Sequence, residues 1–123
     1  MLNLSKLYED KRGEIFLLKG DLKDHEEITL FTTKKTFARG GCIHEFNDES
    51  CVVLEGAIKY YIGNNEPKIL HKGQSIIIPH NTPHYFQSIT DSLVVEWGAT
   101  PKEKKHKHES LRKIVDDINN RID

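Results

Sequence analysis

Between residues 42 and 51 the sequence reads Cys-Ile-His-Glu-Phe-Asn-Asp-Glu-Ser-Cys, with six metal-binding or reactive side chains among ten positions. Three chemistries fit such a stretch: a metal site, a redox cysteine pair, or an acidic turn that carries two thiols. Gly73 to His84 (Gly-Gln-Ser-Ile-Ile-Ile-Pro-His-Asn-Thr-Pro-His) adds a further imidazole behind a proline-bracketed turn. Side chains alternate faces along a strand, so Cys42 and His44 point the same way. A hairpin turning at Asn47-Asp48 would pair His44 with Glu49 and Cys42 with Cys51, with opposed Cβ atoms about 4.5–5.5 Å apart. All four groups would then share one face. Two imidazoles and a carboxylate make a facial triad suited to Fe(II). An added thiolate favours Zn²⁺ or another thiophilic metal. Without a metal, the same groups would contact a ligand or one another. Cys51 reads as a small buried apolar filler, a common role for a free thiol.

These groups need a scaffold, and the sequence describes one. Short apolar segments recur from about residue 14 to residue 98: Glu14 to Lys19, Glu27 to Thr33, Thr36 to Phe46, Ser50 to Leu54, Ala57 to Ile62, Lys68 to Leu70, Ser75 to Ile78, His84 to Ser88 and Leu93 to Trp97. Turn residues separate them, notably Gly20-Asp21, Gly56, Gly63-Asn64-Asn65, Lys72-Gly73 and Pro79 to Pro83. Glycine, asparagine and aspartate allow tight turns and proline ends pairing. About nine strands at this spacing predict an all-β sandwich or barrel. On the strand after Pro83, His84, Phe86 and Ser88 share a face; Tyr60, Tyr85 and Trp97 are candidate pocket walls. Beyond Pro101 the period changes. Leu111, Ile114, Val115, Ile118 and Ile122 recur at helical spacing, which predicts a C-terminal amphipathic helix. The domain division is therefore a β unit over 1–100 and a helix within 101–123, packed on the barrel or on a second subunit. The run Lys102 to His108 reads as a solvated connection, although its His106-x-His108 pair has ligand chemistry.

The whole chain limits the function classes. A chain of 123 residues holds one domain core, and a formal charge of −1 gives no general attraction to nucleic acid or anionic membrane. No apolar run approaches the roughly 20 residues of a membrane span, and the first residues lack a signal-peptide pattern. A cytoplasmic protein that binds a small molecule is the expectation, and there disulfides are rare.

The two chemical segments resemble the two motifs of the cupin superfamily. The first runs G-x5-H-x-H-x3/4-E-x6-G in that family, and here Cys42-x-His44-x4-Glu49-x6-Gly56. The second runs G-x5-P-x-G-x2-H-x3-N, and here Gly73-x5-Pro79-x-Asn81-x2-His84-x3-Ser88. The resemblance implies a jelly-roll β-barrel and a homodimer. It also implies a divalent metal (Zn, Fe, Mn or Ni) on Cys42, His44, Glu49 and His84, with Cys42 standing where the family has its first histidine. A second similarity lies in Asp10-Lys11-Arg12-Gly13 and in Arg39-Gly40-Gly41 before Cys42. Both resemble segments of sugar-nucleotide cupins, the epimerases and 3,4-ketoisomerases of polysaccharide biosynthesis. That similarity implies a metal-free isomerase on a nucleotide-linked sugar, with His44 and His84 as catalytic groups and Arg39 meeting the diphosphate. Tyr60, Tyr85 and Phe86 would line the substrate pocket. The loss of an imidazole at Cys42 weakens proton transfer more than binding, because a thiol titrates about two units higher.

Overall fold

The architecture was obtained as a computed structural model, which describes residues 3–19, 28–98 and 105–122. Among the described residues, eleven strands precede one helix: β1 (Asn3–Asp10), β2 (Gly13–Lys19), β3 (Ile28–Thr33), β4 (Ala38–His44), β5 (Glu49–Glu55), β6 (Ala57–Ile62), β7 (Lys68–His71), β8 (Ser75–Ile78), β9 (His84–Ser88), β10 (Ser92–Trp97), β11 (Lys105–Lys107) and α1 (Glu109–Asn120). They form two antiparallel sheets, one ordered β1-β2-β3-β10-β5-β8 and the other β11-β4-β9-β6-β7. The sheets face each other as a jelly roll without closing into one continuous hydrogen-bonded barrel. The core lies between them, where alternate residues such as Cys51, Val53, Ile58, Tyr60, Phe86 and Val94 are buried.

The strands fall where alternation and turns predict, but their partners differ. The expected hairpin between residues 36–46 and 50–54 does not form. β4 pairs with β9 and β11, whereas β5 pairs with β10 and β8, so the two strands lie in opposite sheets. Cys42 is opposite His84 in the register, and Cys51 lies between Glu96 and Ile76. The expected pairing of Cys42 with Cys51 is therefore corrected, and no disulfide joins the two thiols. Part of the supposed solvated connection is also a strand: β11 forms an edge ladder on β4, with His106 opposite Ile43. Residues 102–104 of that run, the start of the Glu27 segment and the Gly20-Asp21 turn lie outside the described residues, and His108 caps α1.

β4 carries the main irregularity. Arg39 pairs with Phe86, Gly40 with Tyr85, and Cys42 with His84, so Gly41 is an extra residue. Gly40 and Gly41 take φ values of 114° and 88°, which glycine adopts without a Cβ penalty. This β-bulge lets Arg39 and Cys42, three residues apart, both face inward.

Helix α1 packs on the outer face of β4. Val115 is fully buried with Ala38 and Tyr85, and Leu111 and Ile118 pack against them. Asn119 Oδ1 accepts from Ala38 N at 2.8 Å, and its Nδ2 donates to Ala38 O at 3.0 Å. The amide thus completes an edge of backbone that the ladder leaves open, a requirement for buried peptide groups. Most of the apolar stripe that suggested a second subunit is used within the chain. Among the described residues, no helix is long and apolar enough to cross a membrane.

Candidate functional site

β4, β5 and β9 deliver their inward side chains to one point at the end of the sandwich. His44 and His84 come from adjacent parts of one sheet, and their rings stack 5.5 Å apart at 20°. Glu49 reaches across from the other sheet: its Oε1 lies 2.6 Å from His44 Nε2 and 3.5 Å from His84 Nε2. Cys42 Sγ is 3.7 Å from His84 Nε2. One potential ligand atom from each of Cys42, His44 and His84 lies within 4.8 Å of the others. All four residues are buried, between 3% and 7% exposed. His44 and Glu49 therefore meet as the hairpin reading expected, but by facing across the sandwich.

Two neighbours set the orientation. His84 Nδ1 is 3.0 Å from Thr82 O; a carbonyl only accepts, so Nδ1 carries the proton and Nε2 is directed to the cluster. The turn that holds Thr82 is itself tied down, since Asn81 N donates to His44 O at 2.6 Å. The cluster is not internally satisfied. His44 Nδ1 has no hydrogen-bond partner, and Glu49 Oε1 meets the two imidazoles as an ion pair without forming a regular hydrogen bond. Buried polar atoms without partners are rare and call for an occupant.

The electrostatics are those of a tight ionic cluster. Burial disfavours the charged imidazoles, yet contacts with Cys42 and Glu49 raise His44 to about 9. Burial is likewise outweighed at His84, which Cys42, Glu49 and the charge of Glu96 raise to about 10. Burial pushes Glu49 up, but the two imidazoles hold its carboxyl down to about 2. The sign for stability follows. Raised histidine pKa values stabilise the folded chain below about pH 6.5 and lose that contribution as pH rises through 9 to 10. The lowered Glu49 value stabilises above about pH 4.5 and fails as pH falls toward 2. Chelator-treated protein should therefore melt about 10 °C lower at pH 10 than at pH 6. Thermal unfolding across that range checks this; the drop should shrink in His84→Asn, and a flat profile in the unsubstituted protein would refute the charge assignment.

The remaining candidates are placed as follows. Tyr60 is inside, its ring 6.3 Å from His84, and its hydroxyl donates to Glu96 Oε2 at 3.1 Å. Phe86 is core, packed on Tyr60 and Phe31 at 5.5 and 6.2 Å. Tyr85 points to the opposite side of the sheet, stacked on Tyr61 at 4.4 Å beneath α1. Trp97 alternates with buried Glu96 and so leaves the interior. Arg39 is inward but bends away from the cluster, donating from Nε to Thr33 Oγ1 at 2.9 Å and from Nη2 to Thr32 O at 3.0 Å. Burial and then the nearby Arg12 charge lower it to about 10. Asp10 and Arg12 form a local ion pair of 2.8 Å at the β1–β2 turn. Cys51 is fully buried, and burial pushes its thiol far up, which leaves it inert. Glu96, which accepts from Tyr60 and whose charge reaches His84, is a candidate site residue that the sequence reading missed. Its signal was the alternation Ser92, Val94, Glu96, which places a carboxyl on a core-facing row.

The sequence matches the Cupin domain family over residues 41–101, a span that holds Cys42, His44, Glu49 and His84. The chain belongs to the cupin superfamily. Solved structures share the cupin fold at low identity. The chain resembles the capsular polysaccharide assembling protein CapF from Staphylococcus aureus with a TM-score of 0.68 and 15% identity, over 85% of this chain and 32% of that one. It resembles KdgF from Halomonas sp. with a TM-score of 0.64 and 19% identity, over 80% of this chain and 89% of that one. For a variant of oxalate decarboxylase from Bacillus subtilis the values are 0.68 and 11%, over 80% of this chain and 28% of that one. This cupin spans about a third of the length of CapF, and at these identities the likeness concerns the fold. Among curated proteins, no sequence matches this chain.

Proposed function

We propose that this cupin is a metal-dependent protein acting on a small oxygen-bearing molecule, with Cys42, His44 and His84 holding a divalent ion and Glu49 beside them. The observation that carries the reading is the buried convergence of three ligand atoms within 4.8 Å. The buried His44 Nδ1, which lacks a hydrogen-bond partner, supports it, because solvent carried by a bound cation would give it one. One thiolate and two imidazoles suit Zn²⁺ with a position left for substrate. When bound, such an ion polarises a carbonyl or acidifies a bound hydroxyl. The chain's own residues supply the rest. Thr82 O fixes the His84 tautomer, Glu49 Oε1 holds or returns a proton, and burial excludes bulk water.

The test is elemental analysis of protein purified without added metal, together with Co²⁺ substitution. One equivalent of metal is expected, as is a near-ultraviolet thiolate-to-cobalt band that disappears in Cys42→Ser. Absence of stoichiometric metal and failure to take up Co²⁺ would refute the reading. Isomerisation of a nucleotide-linked sugar is the second reading. It draws on the contact between His44 and Glu49, which can move a proton without metal, and on the likeness to a capsular polysaccharide assembling protein. The failure of every nucleoside-diphosphate sugar to raise the melting temperature would remove it.

A further inference from the structure

Cys42 and His44 both sit on β4, and the edge of β4 away from β9 is covered by the C-terminal segment. β11 pairs Lys105, His106 and Lys107 with His44, Ile43 and Cys42. Beyond that ladder, His108 N donates to Gly41 O at 2.9 Å and Arg112 Nη1 donates to Gly40 O at 3.0 Å. Asn119 then bonds both backbone groups of Ala38. Arg112 meets both glycines of the bulge. Its guanidinium holds the Gly40 carbonyl, a charge-assisted bond. Its backbone lies against Gly41, where an added Cβ would stand 2.9 Å from Arg112 Cα. Its other partner is a loose, exposed contact of 3.7 Å with Asp116, worth little on its own.

The bulge in turn decides where Cys42 points. Arg39 faces inward, and strict alternation would send a residue three positions later outward. The extra Gly41 turns Cys42 back into the sandwich, with its Sγ 3.7 Å from His84 Nε2. We propose that Arg112 is a positioning residue for the metal centre, pinning Gly40 O so that the bulge aims Cys42 at the site. It acts through the β4 backbone and touches neither metal nor substrate. Docking of α1 and metal binding are then coupled, and such coupling is reciprocal: the docked helix favours the ion, and the ion favours the docked helix. This proposal rests on the metal reading above and adds to it a residue outside the span 41–101 that matches the family.

Three substitutions at one position test it. Arg112→Met keeps the aliphatic stem and removes the donor, whereas Arg112→Lys keeps a donor. Each full chain is titrated with Co²⁺ under conditions where circular dichroism shows it folded, and affinity and the thiolate-to-cobalt band are read together. Arg112→Met should weaken binding about fivefold or more, the lower end of ordinary coupling between sites, and should lower the band at saturation. Arg112→Lys should stay within about twofold of the unsubstituted chain, because its ammonium can still donate to Gly40 O. Arg112→Ala gives the same reading if the methionine variant fails to fold. Leu70→Ala, a core truncation on β7, should lower the melting temperature yet move affinity less than about twofold. Unchanged affinity and band in Arg112→Met would overturn the proposal, as would an equal loss in Arg112→Lys or in Leu70→Ala. In those cases Co²⁺ still binds the unsubstituted chain, so the metal reading stands. If the unsubstituted chain takes up no Co²⁺, the metal reading falls first and the role of Arg112 falls with it.

Discussion

His84→Ala is expected to weaken Zn²⁺ or Co²⁺ binding by more than about 100-fold, measured by competition with a chelator of known affinity. Altering even a group behind a ligand typically costs 10–100-fold, and here the proposed ligand itself is removed. The substitution also takes out the imidazole that Glu49 Oε1 approaches at 3.5 Å and Cys42 Sγ at 3.7 Å. Glu49 stays buried with half of its positive surroundings gone. Breaking a buried ion pair on one side costs about 3–5 kcal/mol; with His44 still in contact, the lower end applies. The metal-free variant should therefore melt earlier as well. His71→Ala, on exposed β7, supplies the control and should change affinity less than about threefold. Comparable losses in the two variants would show that the cluster is not the binding site.

Gly41→Ala is expected to destabilise the fold by about 3 kcal/mol or more, although it adds one methyl group. A residue with a Cβ at φ 88° costs about 1–2 kcal/mol on its own. The added Cβ would also stand 2.9 Å from Arg112 Cα and 3.0 Å from Arg112 N. Both are backbone atoms of α1, so the helix must move off the sheet or the bulge must flatten. Gly73→Ala separates the two terms, because Gly73 has nearly the same φ, 86°, and a methyl added there would meet nothing within 4 Å. It should cost only the conformational part. Urea unfolding reads both: with a slope of about 1–3 kcal/mol/M, 3 kcal/mol shifts the midpoint by 1 M or more. Equal shifts for the two alanines would refute the steric account. The same variant should disturb metal binding, since Cys42 follows the bulge directly.

Both effects trace to features that the sequence shows unevenly. Strand positions were legible because turn residues such as Gly56 and Gly63-Asn64-Asn65 bracket alternating apolar rows. The motif spacing likewise pointed to Cys42, His44, Glu49 and His84 as one group. Strand partnership was not legible. β4 and β5 are joined by a short acidic turn that looks like a hairpin, and only the contacts of β9 and β10 show that the chain crosses between sheets there. β11 carries no apolar pattern, because an edge strand pairs through its backbone and leaves charged side chains in water. β1 escaped for the same reason: all but its last residue are exposed. Tyr85 could have been assigned correctly. If His84 faces inward, strict alternation sends the next residue outward, and the tyrosine's size made it look like a pocket wall. Arg39 and Cys42 show the opposite problem, because odd spacing puts two residues on opposite faces unless a bulge intervenes.

The exposure of β1 has a consequence for how the molecule opens. Its ladder to β2 runs from Asn3–Lys19 to Asp10–Gly13, yet Leu4 and Leu7 remain 59% and 61% exposed. Little hydrophobic burial reinforces those hydrogen bonds, whereas every strand of the sandwich interior is cross-braced by the core. β1 therefore forms a separate, low-energy opening unit. It can peel away and exchange its amide hydrogens while Val53, Ile58, Val94 and the ligand cluster stay closed. The cooperative unit of folding is the sandwich with its helix, and the outermost strand is a peripheral addition to it.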